Sequence, residues 1–232
     1  MKEYYACLAL DVVNSRKMDL RGVEETLLFL RDKLNSMLSY SMLMPFRIRN
    51  GDELVGVFYR FSDSYKAIDK ISNIVEKKKG LSFYIGCGLG KIDTKIKNNE
   101  HISNGSAIIN AVEARDTFIK QNNEEATVWN KEWDNKIFYY SEDVPYQAIN
   151  QLVYTIRMYR NKRSDKQREI IKKVKQQSNQ TFEEIGKSLG YKNPKASIHN
   201  HLSAANYELV NEMEKSLREL LDAFQELLEK KG

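Results

Sequence analysis

Cysteine and histidine are scarce in this chain of 232 residues, which has two of the first and three of the second. Cys7 and Cys87 both lie inside apolar runs that read as strands, so buried reduced thiols are expected rather than a disulfide or a metal site. All three histidines fall beyond residue 100, and no zinc constellation can be assembled from so few donors. Long apolar runs are absent too: nothing approaches the roughly 20 residues of a transmembrane helix. The opening MKEYYACLALDVVNSR has only a short apolar stretch with an Asp at its end, unlike the core of a signal peptide. No membrane partner is expected, and the expected location is the cytoplasm.

Hydrophobic residues make up 41% of the chain and charged residues 30%, the composition of a soluble globular protein. The length allows one or two domains, and two are expected. The net charge of +5 is unevenly spread. Residues 1–150 carry 21 Lys and Arg against 21 Asp and Glu; residues 151–205 carry 12 against 4, and residues 206–232 carry 4 against 7. The middle segment is thus a candidate for neutralising the phosphates of DNA.

From residue 4 to about 140 the pattern alternates strand and helix. Tyr4–Leu10 reads as a central strand, and residues 20–39 carry helix-period apolars at Val23, Leu27, Leu30, Leu34 and Leu38. Segments 43–49 and 53–61 flank Asn50-Gly51, a hairpin signal because both residues tolerate positive φ. Helices are expected at about 63–77 and 104–120, and strands at 82–90, 126–129 and 136–140. The order β-α-β-β-α-β is that of a ferredoxin-like sheet with helices on one face, extended by a further helix and strand. Beyond Pro145 everything reads as helix: about 146–160, 164–177, 181–189, 194–205 and 206–229. The expected class is α+β, with a ferredoxin-like domain over 1–145, a helical linker and helix-turn-helix over 146–205, and a pairing or packing helix over 206–232.

The helix-turn-helix is read from its punctuation. Thr181-Phe-Glu-Glu184 has the form of a capping box. Gly190 stops the helix that starts there, and Asn193-Pro194 starts the next as N-cap and first helical residue. Gly186 is small where the second helix would cross. Ile185, Leu189, Ile198, Leu202 and Ala205 would face inward, leaving Lys192, Lys195, Ser197, His199, Asn200 and Ser203 for the outer face that enters a major groove in this motif. Double-stranded DNA is the expected partner, the alternative being a helical hairpin packed within the protein. Val210, Met213, Leu217, Leu220, Phe224 and Leu227 repeat at steps of three and four, the period of a coiled-coil seam, so a homodimer is expected. Leu221 and Leu228 widen the stripe toward an intramolecular packing face.

Asp11 ends the first strand, and Asp52-Glu53 follow the Asn-Gly turn. A ferredoxin-like order would bring these carboxylates to one sheet edge, where two or three of them suit Mg²⁺, a hard ion that binds phosphates through its remaining positions. Paired ions of that kind activate a hydroxyl and stabilise a leaving pyrophosphate. Ordinary turn chemistry is the competing explanation for Asn-Gly-Asp-Glu.

Taken together, Asp11-Val-Val-Asn-Ser15-Arg16, Asn50-Gly-Asp-Glu-Leu54, Gly86-Cys-Gly-Leu-Gly90 and Gly105-Ser-Ala107 with Asn110, Ala111 and Ala114 resemble the succession of motifs in the SatD family of bacterial proteins. The same blocks are more remotely similar to class III nucleotidyl cyclases and GGDEF diguanylate cyclases. The resemblance implies a palm-like domain that binds a nucleoside triphosphate, or a nucleotide derived from one, with Mg²⁺. Asp11 and Asp52 would be metal ligands and Glu53 a second-metal or substrate contact, the three forming the catalytic set. The backbone of Val12–Arg16, with Ser15 and Arg16, would cradle phosphate beside Gly51. Lys91 and Lys95, just past the glycine-rich strand, are candidates for holding phosphates, the alternative being solvated lysines, and Asn110 matches a position that touches ribose. Cyclases carry an Arg four residues after that Asn, where this chain has Ala114; Arg115 stands one step on, about 100° around an α-helix. The implied function is a DNA-binding regulator that senses a nucleotide. The rivals are a metal-dependent nucleotidyl cyclase or nucleotidyltransferase, and a docking module with no ligand.

Overall fold

The computed structural model describes residues 3–15, 19–75, 82–92 and 104–231. The chain divides into two compact units, residues 1–151 with 218–232, and residues 152–217. Among the described residues no helix is long and apolar enough to cross a membrane.

The first unit is mixed α and β. Strands β1 (Tyr4–Val12), β2 (Met42–Arg49), β3 (Glu53–Phe58), β4 (Phe83–Lys91) and β5 (Lys136–Tyr140) form one sheet in the order β2-β3-β1-β4-β5. β1 is antiparallel to both β3 and β4, and β5 runs parallel to β4 at the edge. The first four strands therefore have the expected ferredoxin-like order, with β5 added outside β4. The turn between β2 and β3 is closed by Asn50 at φ 51° and Gly51 at φ 88°, the left-handed pair that Asn-Gly promised.

The sheet is covered on both sides, and not on one face as expected, because β1, β3 and β4 are apolar on both faces. Helix α1 (Leu20–Leu38) starts on Asp19, whose carboxylate accepts from the Gly22 amide, and buries Val23, Leu27, Leu30, Leu34 and Leu38. It packs beside α2 (Phe61–Val75), and α2 lies on the face where Ser64 Oγ meets the Tyr139 hydroxyl at 3.3 Å. The opposite face holds Cys7, Ala9, Val55 and Val57 under Ala107, Ile108 and Ala111 of α3 (Ser106–Glu113). Three alternate glycines of β4 make this approach possible. A Cβ at Gly86 or Gly88 would stand 2.1 Å from a backbone carbonyl of α3, and one at Gly90 would meet Ser106 Oγ at 2.4 Å. The helix lies on the bare strand, which a side chain every second residue would prevent.

Two expectations are corrected here. The helix expected over 104–120 is α-helical only to Glu113 and continues as a π-helix over Ala114–Lys120. Segment 126–129, expected as a strand, belongs to helix α4 (Glu124–Asn130). Asn123 caps it by accepting from the Glu125 amide, and two glutamates stand in its positive first turn. Those end signals outweigh the β-prone Thr127-Val128-Trp129.

Three buried or half-buried asparagines deal with the sheet's edges. Asn130 both accepts from the Ile137 amide and donates to its carbonyl, at 2.8 and 2.9 Å. Asn150, on α5 (Tyr146–Asn161), does the same for Tyr139 at 2.8 and 2.9 Å, and Asn35 for Phe46 on β2 at 2.7 and 3.0 Å. Cys7 and Cys87 are free and buried, on neighbouring strands but opposite faces, and burial pushes both thiols up in pKa, Cys87 to about 12.

In the second unit, α6 (Asp165–Gln176), α7 (Phe182–Ser188) and α8 (Pro194–Ala204) enclose a core of Ile170, Ile171, Ile185, Ile198, Leu202 and Ala205. Thr181 and Glu184 complete the expected capping box, and Gly190 takes φ 76° after α7. A Cβ at Gly186 would meet Pro194 at 2.6 Å, so glycine is what lets α7 and α8 cross there. Asn193 occupies the cap position of α8 without a side-chain hydrogen bond, and Pro194 follows as the first helical residue.

Helix α9 (Tyr207–Lys231) buries Val210, Glu214, Leu217, Leu221 and Gln225, while Leu227 is exposed. Glu214 pairs with Arg160. Gln225 accepts from the Phe61 amide at 2.8 Å and donates to the Tyr4 and Tyr59 carbonyls at 2.9 Å each.

Candidate functional site

The C-terminal end of β1 and the turn entering β3 meet because Asp11 is the register partner of Glu53. Alternation along the strands sends both side chains to the face that carries α3. The π-helix then passes directly above them. A π turn takes in an extra residue, and such turns recur at functional sites. Here it brings Arg115 and Lys120 to the carboxylates: Arg115 pairs with Glu53, and Lys120 pairs with Asp11.

The resulting cleft has a volume of about 520 Å³ and is lined by Asp11, Asn14, Ser15, Asp52, Glu53 and Tyr84, with Arg115 and Lys120 across from the carboxylates. Glu53, 6% exposed, is also held by Asn50 Nδ2 at 3.3 Å. Arg115, 5% exposed, clamps Asp116 with a two-pronged fork at 2.8 and 2.7 Å. Asp116 in turn receives Lys120 at 3.0 Å. Asp52 accepts from Ser15 Oγ at 3.1 Å. Asn14, at φ 58°, turns the chain just after β1, where the Val13 amide donates to the Ser82 carbonyl at 2.9 Å.

Electrostatics tie these groups together. Burial works against the charges on Arg115 and Lys120, but hydrogen bonds to Asp116 and Glu53, and to Asp11 and Asp116, outweigh it and raise both pKa values. Burial likewise opposes the Asp116 carboxylate, and Arg115 and Lys120 more than offset it, holding its pKa below the ordinary value. One atom is left over. Asp11 is 8% exposed, and its Oδ1 is buried with no hydrogen-bond partner among the described residues.

An orphaned carboxylate oxygen of this kind is costly and fits a cation. Among the described residues no group of three or more His, Cys, Asp or Glu side chains stands close enough together to hold a metal ion. Asp11 and Asp52 nevertheless match the donor set of Mg²⁺, which takes one or two carboxylates and completes its shell with water and phosphate oxygens.

Of the residues singled out by sequence, Asp11, Ser15, Asp52 and Glu53 come together here, with Gly51 at the turn beside them. Lys91 and Asn110 do not. Lys91 pairs in register with Tyr4, seven residues along β1 from Asp11 or about 23 Å at the usual strand rise, and its ammonium lies near Glu3 and over the Tyr4 ring. Asn110 is buried and donates to the Leu89 carbonyl, fastening α3 to β4. Arg16 and Lys95 lie outside the described residues. Reading the sequence missed Tyr84 and Lys120, and put Arg115 off the site. One signal was Asp116 and Lys120 at i, i+4, directly after Arg115, and another the step of four from Ala107 and Ala111 to Arg115 along the side facing β4.

In the second unit, Lys192, Lys195, His199, Asn200 and Ser203 are exposed and Ser197 is half-buried, while Ile198 and Leu202 of the same helix are buried. Lys195, His199 and Ser203 follow one another at four-residue intervals along the outer side of α8.

Comparison with known proteins gives one match that runs through both units. A model of the SatD family fits residues 4–227. Curated proteins give no match. Among solved structures, the dimeric guanylyl cyclase domain of the RhoGC fusion protein from the aquatic fungus Blastocladiella emersonii is 15% identical with a TM-score of 0.38, covering 50% of this chain and 74% of that one. The guanylate cyclase domain of RhGC from Catenaria anguillulae, in complex with GTP, is 16% identical with a TM-score of 0.37, covering 50% and 74%. These likenesses are partial ones. The family match, in contrast, extends from the first strand nearly to the end of α9, and the chain belongs to the SatD family.

Proposed function

We propose that this protein is a DNA-binding regulator whose first unit binds a nucleotide with Mg²⁺ in the Asp11–Asp52 cleft. The observation that carries the reading is the buried, unpartnered Asp11 oxygen in a cleft that also holds Asp52, Arg115 and Lys120. Its volume falls within the roughly 300–1,000 Å³ usual for small-molecule sites. Asp11 and Asp52 would hold the ion, which when bound neutralises phosphate charge. The chain's own groups do the rest. Ser15 steadies Asp52, Glu53 fixes the Arg115 guanidinium, and Tyr84 offers an aromatic surface for a base. The expected result is a rise in thermal stability with GTP or ATP plus Mg²⁺ that Asp52→Asn abolishes. Unchanged stability of the wild type with both nucleotides would remove the proposal.

The second unit supplies the output in this reading. α7 and α8 would act as a helix-turn-helix, with the exposed face of α8 reading DNA and the local charge excess of residues 151–205 supplying phosphate affinity. Duplex affinity should fall steeply with salt, and Lys195→Ala should reduce the slope by about 1 if that lysine meets a phosphate. Failure to bind any duplex at low salt would rule out this half.

The placement of Arg115 favours a second reading, nucleotidyl transfer or cyclisation in the same cleft, because a fixed guanidinium beside the carboxylates suits charge that develops on phosphate oxygens. Incubation with each triphosphate and resolution of the products separates the two: intact nucleotide supports the sensor, and a cyclic or joined product supports the enzyme.

A further inference from the structure

We propose that Lys120 is a phosphate-binding residue parked on Asp11 and released from it by a divalent cation. This rests on the nucleotide reading of the cleft. Among the described residues its lining carries three carboxylates, Asp11, Asp52 and Glu53, against two cations, Arg115 and Lys120. Both cations are committed to carboxylates. A polyphosphate therefore meets a surface that repels it until positive charge is added or set free. A divalent ion on Asp11 does both, since it brings two charges and drives the ammonium off the same carboxylate.

The two cations are unequally free to move. Arg115 has a side chain 6% exposed, forked onto Asp116 and paired with Glu53, so it stays where it is. Lys120 has a side chain 32% exposed, and a lysine is a point charge on a flexible four-carbon stem. Asp116 holds the ammonium from the other side at 3.0 Å and keeps it at the cleft as it leaves Asp11. The vacated Asp11 oxygen and its buried neighbour, unpartnered among the described residues, would then both be available to hold the metal. Metal and nucleotide should consequently favour each other's binding, by equal factors in both directions.

The exchange is tested with Mn²⁺ as the probe, its binding to the full chain read by electron paramagnetic resonance. Lys120→Met keeps the stem and removes the charge. It should bind Mn²⁺ alone about tenfold more tightly than the wild type, the size expected when a charged hydrogen-bonding competitor is removed, and bind Mg²⁺-ATP or Mg²⁺-GTP about tenfold more weakly. Lys120→Gln, a second neutral variant, should repeat both changes, and Lys120→Arg should keep the wild-type Mn²⁺ affinity. Nucleotide binding with Mn²⁺ affinity unchanged or reduced in the neutral variants overturns the exchange and leaves the nucleotide reading intact. Tighter Mn²⁺ binding with no nucleotide bound by any of the proteins overturns the nucleotide reading, and with it the phosphate role of Lys120.

Discussion

Arg115→Leu should destabilise the first unit by about 3–5 kcal/mol, the usual penalty for removing one partner of a buried ion pair and stranding the other. Glu53 is 6% exposed and, among the described residues, would keep the Asn50 amide at 3.3 Å as its remaining hydrogen bond. Asp116 would also lose the fork that orders it, and with it the fixed partner of Lys120. Glu53→Gln in the same chain should recover much of the loss, because the stranded charge is then gone, and the two changes should couple by up to about 3 kcal/mol in a double-mutant cycle. Urea unfolding followed by tryptophan fluorescence is a suitable measurement, since Trp129 and Trp133 both belong to the first unit. An additive pair of effects would show that Arg115 and Glu53 act independently.

Gly88→Ala should cost about 3 kcal/mol, the upper end of the range for overpacking. The added Cβ would stand 2.1 Å from the Ala107 carbonyl oxygen and 2.2 Å from the Ala111 amide, both backbone atoms, so no side-chain rotation relieves it. α3 must lift as a body, and the π-helix that carries Arg115 and Lys120 continues from it. Loss of Mn²⁺ and nucleotide binding should therefore accompany the loss of stability. Gly51→Ala is the informative comparison. Nothing lies within 4 Å of its Cβ position, and only the positive φ of 88° opposes the change, at about 1 kcal/mol. Equal effects at the two glycines would contradict the close contact between β4 and α3.

Much of this architecture was legible because local signals and burial agree. Asn50-Gly51, Thr181 with Glu184, Gly190 and Pro194 each demand a particular backbone, and each received it. The convergence of Asp11 with Asp52 and Glu53 followed from strand order alone. The π turn was not legible, since nothing in Ala114-Arg115-Asp116 distinguishes an extra residue per turn from an ordinary helix. Arg115 itself follows Ala107 and Ala111 at four-residue steps on the side of the helix that faces β4, which ordinary helix spacing places toward the sheet. Lys91 looked like a phosphate ligand because it follows a glycine-rich strand, but the antiparallel pairing of β1 with β4 carries it to the opposite end of the sheet. On α9 the period of the apolar residues was visible, whereas the buried roles of Glu214 and Gln225 depend on partners distant in sequence.

The asparagine amides on Phe46, Ile137 and Tyr139 bear on how copies of this protein can meet. An outer strand normally offers its free amides and carbonyls to any extended chain nearby, and in this sheet those three positions already hold a side-chain copy of a peptide group, bonded twice. An incoming strand would have to displace two hydrogen bonds at each before making its own. Self-association by strand addition is thereby disfavoured at both margins of the sheet, and contacts between copies are directed to the helices.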